Sequence, residues 1–284
     1  VISNFLKSDL IMKYFFIFIS FIFLTFYCNA QVIDTLIKIN GFQLHFNYIK
    51  GKGIPIIFEA GNGDDASVWK DLIKQIHEIT KAPIITYDRA GLGKSQIDTN
   101  NISFHQEVKN LKIVLAKLGY NDKYFLVAHS FGGIYASEFS NLSKGKIKGA
   151  VFIDVATPCQ LNIEVAKRIK NSISDENWML LKQYKTGLYY VLKNFPNIIN
   201  YMQNRYISSK IPMTLIVADN YIPTEEIGET ESDMTKWKIC LKNLGNLPNH
   251  KYVTTKNTDH KVWEKDPNSV IDEIVKLYNK VKNH

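Results

Sequence analysis

The chain has 284 residues, 45% of them hydrophobic and 22% charged, which suits one sizeable globular domain and excludes a disordered or low-complexity chain. The formal net charge is +8, but the lysines are scattered beside Asn and Ile, so the charge reads as solvated surface and no nucleic-acid partner is expected. No Cys/His spacing suits zinc, and no metal or cofactor is expected.

The N-terminal stretch stands apart. Met12 and Lys13 precede an apolar run from Tyr14 to Tyr27, and Cys28-Asn29-Ala30 supplies small residues where a signal peptidase reads. The run is shorter than the roughly 20 residues that span a bilayer as a helix. Residues 1–30 are therefore expected to be a signal peptide with upstream residues, and residues 31–284 an exported domain, periplasmic or extracellular, without a stable span after cleavage. Anchorage to a membrane through the same segment is the alternative. Beyond Cys28 the chain keeps Cys159 and Cys240; export permits a disulfide between them, and spacing alone leaves open whether they meet.

After Gln31 the pattern predicts strands over 32–39 and 43–49, a turn at Gly51-Lys52-Gly53, and a buried strand over 54–58. A helix over 69–79, a strand over 83–87, a helix over 104–118, a strand over 124–128, a helix from 132 to about 142 and a strand over 147–153 follow. From 158 to about 210 no strand-like run occurs. Two or three amphipathic helices are expected there, carrying Trp178, Tyr184, Tyr189, Tyr190 and Tyr201. The alternation resumes with a strand over 213–218, a helix over 234–244, a strand over 251–255 and a helix over 269–281. Such alternation implies a mostly parallel sheet covered on both faces, opened by an antiparallel pair and interrupted by a helical insert.

The sharpest chemical signal is Val127-Ala128-His129-Ser130-Phe131-Gly132-Gly133, where a strand ends, a Ser stands between small residues and a helix begins. That is a nucleophile elbow: a tight, strained turn lifts the Ser above the sheet edge, and small flanking residues let strand and helix approach. Ala128 replaces the first Gly of G-x-S-x-G, a change of one methyl group.

With three further segments, the chain resembles the α/β-hydrolase superfamily over nearly its whole mature length. Glu59-Ala60-Gly61-Asn62-Gly63-Asp64 followed by Trp69 resembles the oxyanion loop, with Ala60-Gly61 where relatives often have His-Gly. Tyr87-Asp88-Arg89-Ala90-Gly91-Leu92-Gly93-Lys94-Ser95 resembles the D-x-x-G-x-G-x-S segment, and Thr258-Asp259-His260 before Pro267 resembles the catalytic-His loop. The resemblance implies an eight-stranded α/β-hydrolase fold with a helical lid over 158–210. It also implies Ser130 as nucleophile, His260 as general base, and an oxyanion hole from the backbone N–H groups of Phe131 and Asn62. His129 is expected to point away from Ser130. His45, His77, His105, His250 and His284 are expected on solvated positions.

The triad acid stays open. Chain order places it between Ser and His. In the common frame Ala218-Asp219-Asn220-Tyr221 puts Tyr221 where Asp is expected, so Asp219 is out of register. Asp154, ending the strand before the insert, is preferred and Asp219 is the alternative; the loser should be exposed or bonded to backbone only. Gly91-Leu92-Gly93-Lys94-Ser95 imitates a phosphate-binding loop, but Asp88 stands where that motif needs its first Gly, so nucleotide binding is set aside.

The expected activity is hydrolysis of carboxylic esters or similar small acyl compounds through a Ser130 acyl-enzyme, with an apolar pocket under the insert. Ser rather than Asp at the elbow argues against epoxide hydrolase and haloalkane dehalogenase chemistry. The rivals are an aminopeptidase of the same superfamily, with Glu164, Asp175 or Glu176 receiving an amine, and a non-catalytic binding protein on the same fold.

Overall fold

A hairpin opens the sheet: β1 (Ile33–Ile39) and β2 (Phe42–Ile49) pair antiparallel around Asn40 and Gly41, whose φ values of 46° and 93° give the turn that suits twisted strands. The computed structural model describes residues 31–220 and 228–283; the expected signal peptide, Cys28, Tyr221 and His284 lie outside them. Next come β3 (Ile56–Glu59), a 3-10 turn at Ala66–Trp69, α1 (Lys70–Thr80), β4 (Ile84–Tyr87), α2 (Phe104–Lys117), β5 (Tyr124–His129), α3 (Gly132–Leu142) and β6 (Ile147–Ile153). The insert holds α4 (Ile163–Ser172), α5 (Asp175–Tyr184), α6 (Thr186–Lys193) and α7 (Phe195–Met202). The chain then continues as β7 (Met213–Val217), α8 (Glu231–Gly245), β8 (His250–Thr254), α9 (Val262–Lys265) and α10 (Pro267–Val281).

The eight strands form one sheet in the order β1-β2-β4-β3-β5-β6-β7-β8, parallel from β4 through β8. Every residue of β3, β4, β5 and β7 is buried, as expected for strands covered on both faces, whereas β1 alternates half-buried and exposed at the edge. Leu126, Ala128, Phe152 and Leu215 share one core with Val108 and Leu111 of α2 and Ile134 of α3. Their neighbours turn the other way: Phe125 meets Tyr278 of α10 edge-on, and Phe58 packs on Trp69.

The insert has four helices where two or three were expected. The breaks come from short-range chemistry that apolar spacing does not report. Asn162 accepts from the backbone N–H groups of Glu164 and Val165 to start α4, and Ser174 accepts from Asn177 to start α5. Lys185 leaves helical geometry between α5 and α6, and Pro196 sits in the first turn of α7. Helix α8 begins before the expected Met234 because Thr230 and Asp233 form a reciprocal capping box. Cys159, at the entrance to the insert, is disulfide-bonded to Cys240 on α8 with Cα atoms 5.8 Å apart. On the same helix, Trp237 Nε1–H donates to the Val155 carbonyl at 3.0 Å.

Candidate active site

The central strand β5 delivers its chain end straight into α3, and Ser130 sits at the junction with φ 53°, in the left-handed region that non-glycine residues rarely occupy. The turn is held from both sides. Ser130 N–H donates to Ile153 O at 3.1 Å, and its carbonyl accepts from Gly133 at 3.0 Å and Ala156 at 2.9 Å. Helix α3 starts so close to the end of β3 that a Cβ on Gly132 would lie 2.5 Å from the Ala60 carbonyl oxygen. The methyl of Ala128 is fully buried, so the elbow accommodates Ala in place of Gly.

His260 lies in the loop between β8 and α9, with Nδ1 3.2 Å from Asp154 Oδ2. Asp154 is buried and itself in the left-handed region at φ 47°; its Oδ1 accepts from the Ala218 N–H at 2.8 Å. Burial pushes the Asp154 carboxyl above the usual carboxylate range, while His260 and the Ala218 N–H pull the other way. Asp219 is exposed and, among the described residues, its carboxylate takes only backbone donors, Asn257 N–H on Oδ2 at 2.9 Å and Thr258 N–H on Oδ1 at 3.0 Å, which hold its pKa down. The structure thus brings Asp154, and not Asp219, to the imidazole; Asp219 shapes the loop that carries it.

The loop after β3, which the resemblance gives as the oxyanion loop, is held by Arg89. Its Nη1 donates to Glu59 Oε1 at 2.8 Å and to the Ala60 carbonyl at 2.9 Å, and Nη2 donates to the Gly61 carbonyl. The guanidinium lies 4.5 Å from the centroid of the Tyr135 ring, and Tyr87 OH donates to Glu59 Oε2. The sequence alone did not reveal this clamp; the available signal was a charged pair, Asp88-Arg89, directly after the apolar strand ending at Tyr87. The glycine-rich segment after it folds around Asp88. That carboxylate accepts from the Ala66 and Lys94 N–H groups, both at 2.8 Å, and meets His45 Nδ1 at 2.7 Å.

Ser130, Phe131, Asn62, His260 and Asp154 all line one cavity of about 710 Å³. Its opposite wall comes from the insert and α8, with Leu181, Leu188, Leu192, Phe195 and Trp237. Aromatic residues were expected to supply this wall, yet of the five named only Tyr184 reaches it. Trp178 and Tyr189 instead flank the Lys193 ammonium, 3.9 Å from the Trp178 ring centroid, and Tyr201 OH donates to the buried Glu138 at 2.9 Å.

The other histidines correct the expectation of solvated positions. His45 is buried between Asp88 and Asp34, and His77 is buried with Nδ1 2.8 Å from the Ala82 carbonyl. His105 pairs with buried Glu138 at 2.6 Å, and His250 Nδ1 lies 2.7 Å from the Leu244 carbonyl. His129 is 1% exposed and packs against the His260 ring, a contact that strand alternation does not reveal. Among the described residues no cluster of three or more His, Cys, Asp or Glu could hold a metal ion, and no helix is long and apolar enough to cross a membrane.

Residues 54–177 match the family model described as the alpha/beta hydrolase fold. The uncharacterized protein YqjL of Bacillus subtilis (strain 168) is 35% identical over 119 residues, covering 42% of this chain and 46% of that protein. The putative chloroplastic methylesterase 15 of Arabidopsis thaliana is 26% identical over 255 residues, covering 87% of this chain and 52% of that protein. The chain thus spans about half the length of these two relatives. Among solved structures, a thermophilic esterase from Thermogutta terrifontis superposes with a TM-score of 0.58 over 89% of this chain and 100% of that one, at 18% identity, which is a likeness of fold.

Proposed function

Because residues 54–177 match the alpha/beta hydrolase fold family and the fold is that of α/β-hydrolases, we propose that this chain is a serine hydrolase that cleaves carboxylic esters through an acyl-enzyme on Ser130. The observation that carries the reading is the meeting of three segments at one cavity: the strained Ser130 elbow, the His260–Asp154 pair and the oxyanion loop. The names of the methylesterase relative and of the esterase with the same fold point the same way.

In this reading Ser130 Oγ attacks the ester carbonyl carbon while His260 takes the hydroxyl proton. Asp154 holds the ring and stabilises the imidazolium. The oxyanion is met by the Phe131 and Asn62 N–H groups, and the departing alkoxide takes its proton from His260. Water, deprotonated by His260, then releases the acid and restores Ser130. The apolar wall of the insert suits an apolar acyl or alkyl group, so small, largely apolar esters are the substrate class.

An amine-recognising peptidase finds less support. Of its three candidate acids, none lines the cavity, and Glu164 pairs with Lys167 at an exposed site. The Cys159–Cys240 disulfide supports an exported protein, since such bonds persist in oxidising compartments.

Labelling with a fluorophosphonate probe tests the proposal. Wild type should label, and Ser130→Ala and His260→Ala should not; a folded wild type that resists the probe and hydrolyses no p-nitrophenyl ester would favour a binding protein on this fold.

A further inference from the structure

One buried titratable group beside the catalytic residues has no part in the steps above. His129 precedes the nucleophile, and three parts of the site converge on it. Its Nε2 lies 2.9 Å from the backbone carbonyl oxygen of His260. A carbonyl oxygen only accepts, so Nε2 carries the proton and donates. The ring lies 4.5 Å, centroid to centroid, from the His260 imidazole and 4.7 Å from Trp263, which it meets edge-on. On its far side Nδ1 is buried and without a hydrogen-bond partner, and it presses on the oxyanion loop: a Cβ on Gly61 would lie 2.9 Å from it.

From this arrangement we infer that His129 is the positioning residue for the general base, gripping the His260 main chain through Nε2–H and backing the His260 ring with its own. The inference rests on the reading of His260 as that base. Asp154 sets one end of the His260 side chain, but a side chain pinned at Nδ1 still swings if its backbone moves. The hydrogen bond from His129 removes that freedom, and it does so from the residue bonded to Ser130, so base and nucleophile share one rigid support.

Neutrality is part of the role. Burial pushes the His129 pKa well below the ordinary 6.5, and the neighbouring His260 and Lys261 charges push the same way. A ring that stays neutral puts no second positive charge against the imidazolium that forms on His260 during the reaction. Lys261 is drawn off towards Asp64, with Nζ 3.3 Å from its Oδ1.

Two variants separate the donor from the bulk. His129→Phe keeps a ring and loses the donor; His129→Gln loses the ring but places an amide N–H near the position of Nε2. With p-nitrophenyl acetate, His129→Phe should lower kcat by about ten-fold or more with KM nearly unchanged, and His129→Gln should restore most of it, since ten-fold corresponds to one modest hydrogen bond. Equal loss in both variants, or full activity in His129→Phe, overturns the assignment. An activity-independent readout accompanies these. In imidazole ¹⁵N spectra of wild type, His129 should still hold the Nε2-protonated neutral form at the pH where an ordinary imidazole is half protonated. A His129 that titrates near its ordinary value, or protonates Nδ1 instead, overturns the inference even where esters are cleaved. A wild type that labels with no probe sinks the hydrolase reading, and the spectra still decide the geometry.

Discussion

Asp154 Oδ2 stands 3.2 Å from His260 Nδ1, joining the end of β6 to a loop 106 residues further along the chain. Asp219 lies two residues past the neighbouring strand β7 and spends both oxygens on the Asn257 and Thr258 N–H groups of that same loop. The two aspartates therefore serve one histidine in different ways, and their asparagine variants should differ in kind. Asp154→Asn should reduce kcat by roughly 10³-fold or more, because the ring loses the acceptor that fixes its tautomer. Asp219→Asn should keep most of the activity and lower thermal stability modestly, as a lost charge-assisted backbone cap does. Steady-state kinetics with melting curves on both variants decide it; the roles are reversed if Asp219→Asn is the inactive one and melts normally.

Arg89 carries the second prediction. It is buried with Glu59, and its guanidinium holds both carbonyls that precede Asn62. Arg89→Lys keeps a charge but cannot span Glu59 and two carbonyls at once. Each lost hydrogen bond from a buried charged group costs about 1.5–3 kcal/mol, so urea denaturation of Arg89→Lys should show a clear fall in stability. Glu59→Gln combined with Arg89→Met removes both charges and should recover much of that stability while fluorophosphonate labelling stays slow, since the oxyanion loop has lost its clamp. Rapid labelling in the double variant would show that the loop holds its shape unaided.

How much of this was legible in the sequence depended on whether a local backbone demand fixed the residue type. The elbow was readable because a strand running into a helix through a strained Ser needs small neighbours, and Ala128 and Gly132 sit where they must. The succession of inner strands along the chain was readable because strands covered on both faces read as mostly apolar runs. The aspartate that meets His260 was not, because Asp154 and Asp219 both follow buried parallel strands and only the approach of the His260 loop distinguishes them. His129 escaped for a related reason: alternation assigns a side chain to a face of the sheet, but its partner comes from beyond β8. His45 and His105 read as solvated because their spacing is polar, yet Asp88 and Glu138 meet them from distant segments. The breaks among the four helices of the insert were set by single capping residues, which apolar periodicity overlooks.

Glu107 makes stability depend on pH. Burial raises its pKa from 4.5 to about 7, although Tyr135 OH donates to its Oε2 at 2.8 Å and Arg89 opposes the rise. Between those two values the folded chain binds more protons here than the unfolded chain does, so this group's contribution to stability is present below pH 4.5 and is lost as pH rises towards 7. Glu107→Gln keeps an acceptor for Tyr135 without the charge. Its melting temperature should exceed that of wild type at neutral pH, and the gap should narrow as the pH falls towards 5. A gap that stays constant across that range would mean that Glu107 titrates normally in the folded protein.

The Cys159–Cys240 bond closes a loop with a sequence separation of 81, which contains the whole insert. Cys159 is exposed and follows Asp154 by five residues, and Cys240 is buried on α8. Trp237 on α8 grips the Val155 carbonyl and lines the cavity, so the bond ties the cavity wall to the strand end that carries Asp154. A native cross-link closing so long a loop contributes about 2–5 kcal/mol, chiefly by restricting the unfolded chain. Replacing both cysteines by serine should therefore lower the urea midpoint clearly, and wild type treated with reductant should move to the same midpoint. Activity on small esters should fall less than stability does, because Trp237 still holds α8 to Val155 after the bond is gone. An unchanged midpoint in both samples would show that the bond adds nothing to the folded state, and removal of activity with stability intact would make it a clamp on the site instead.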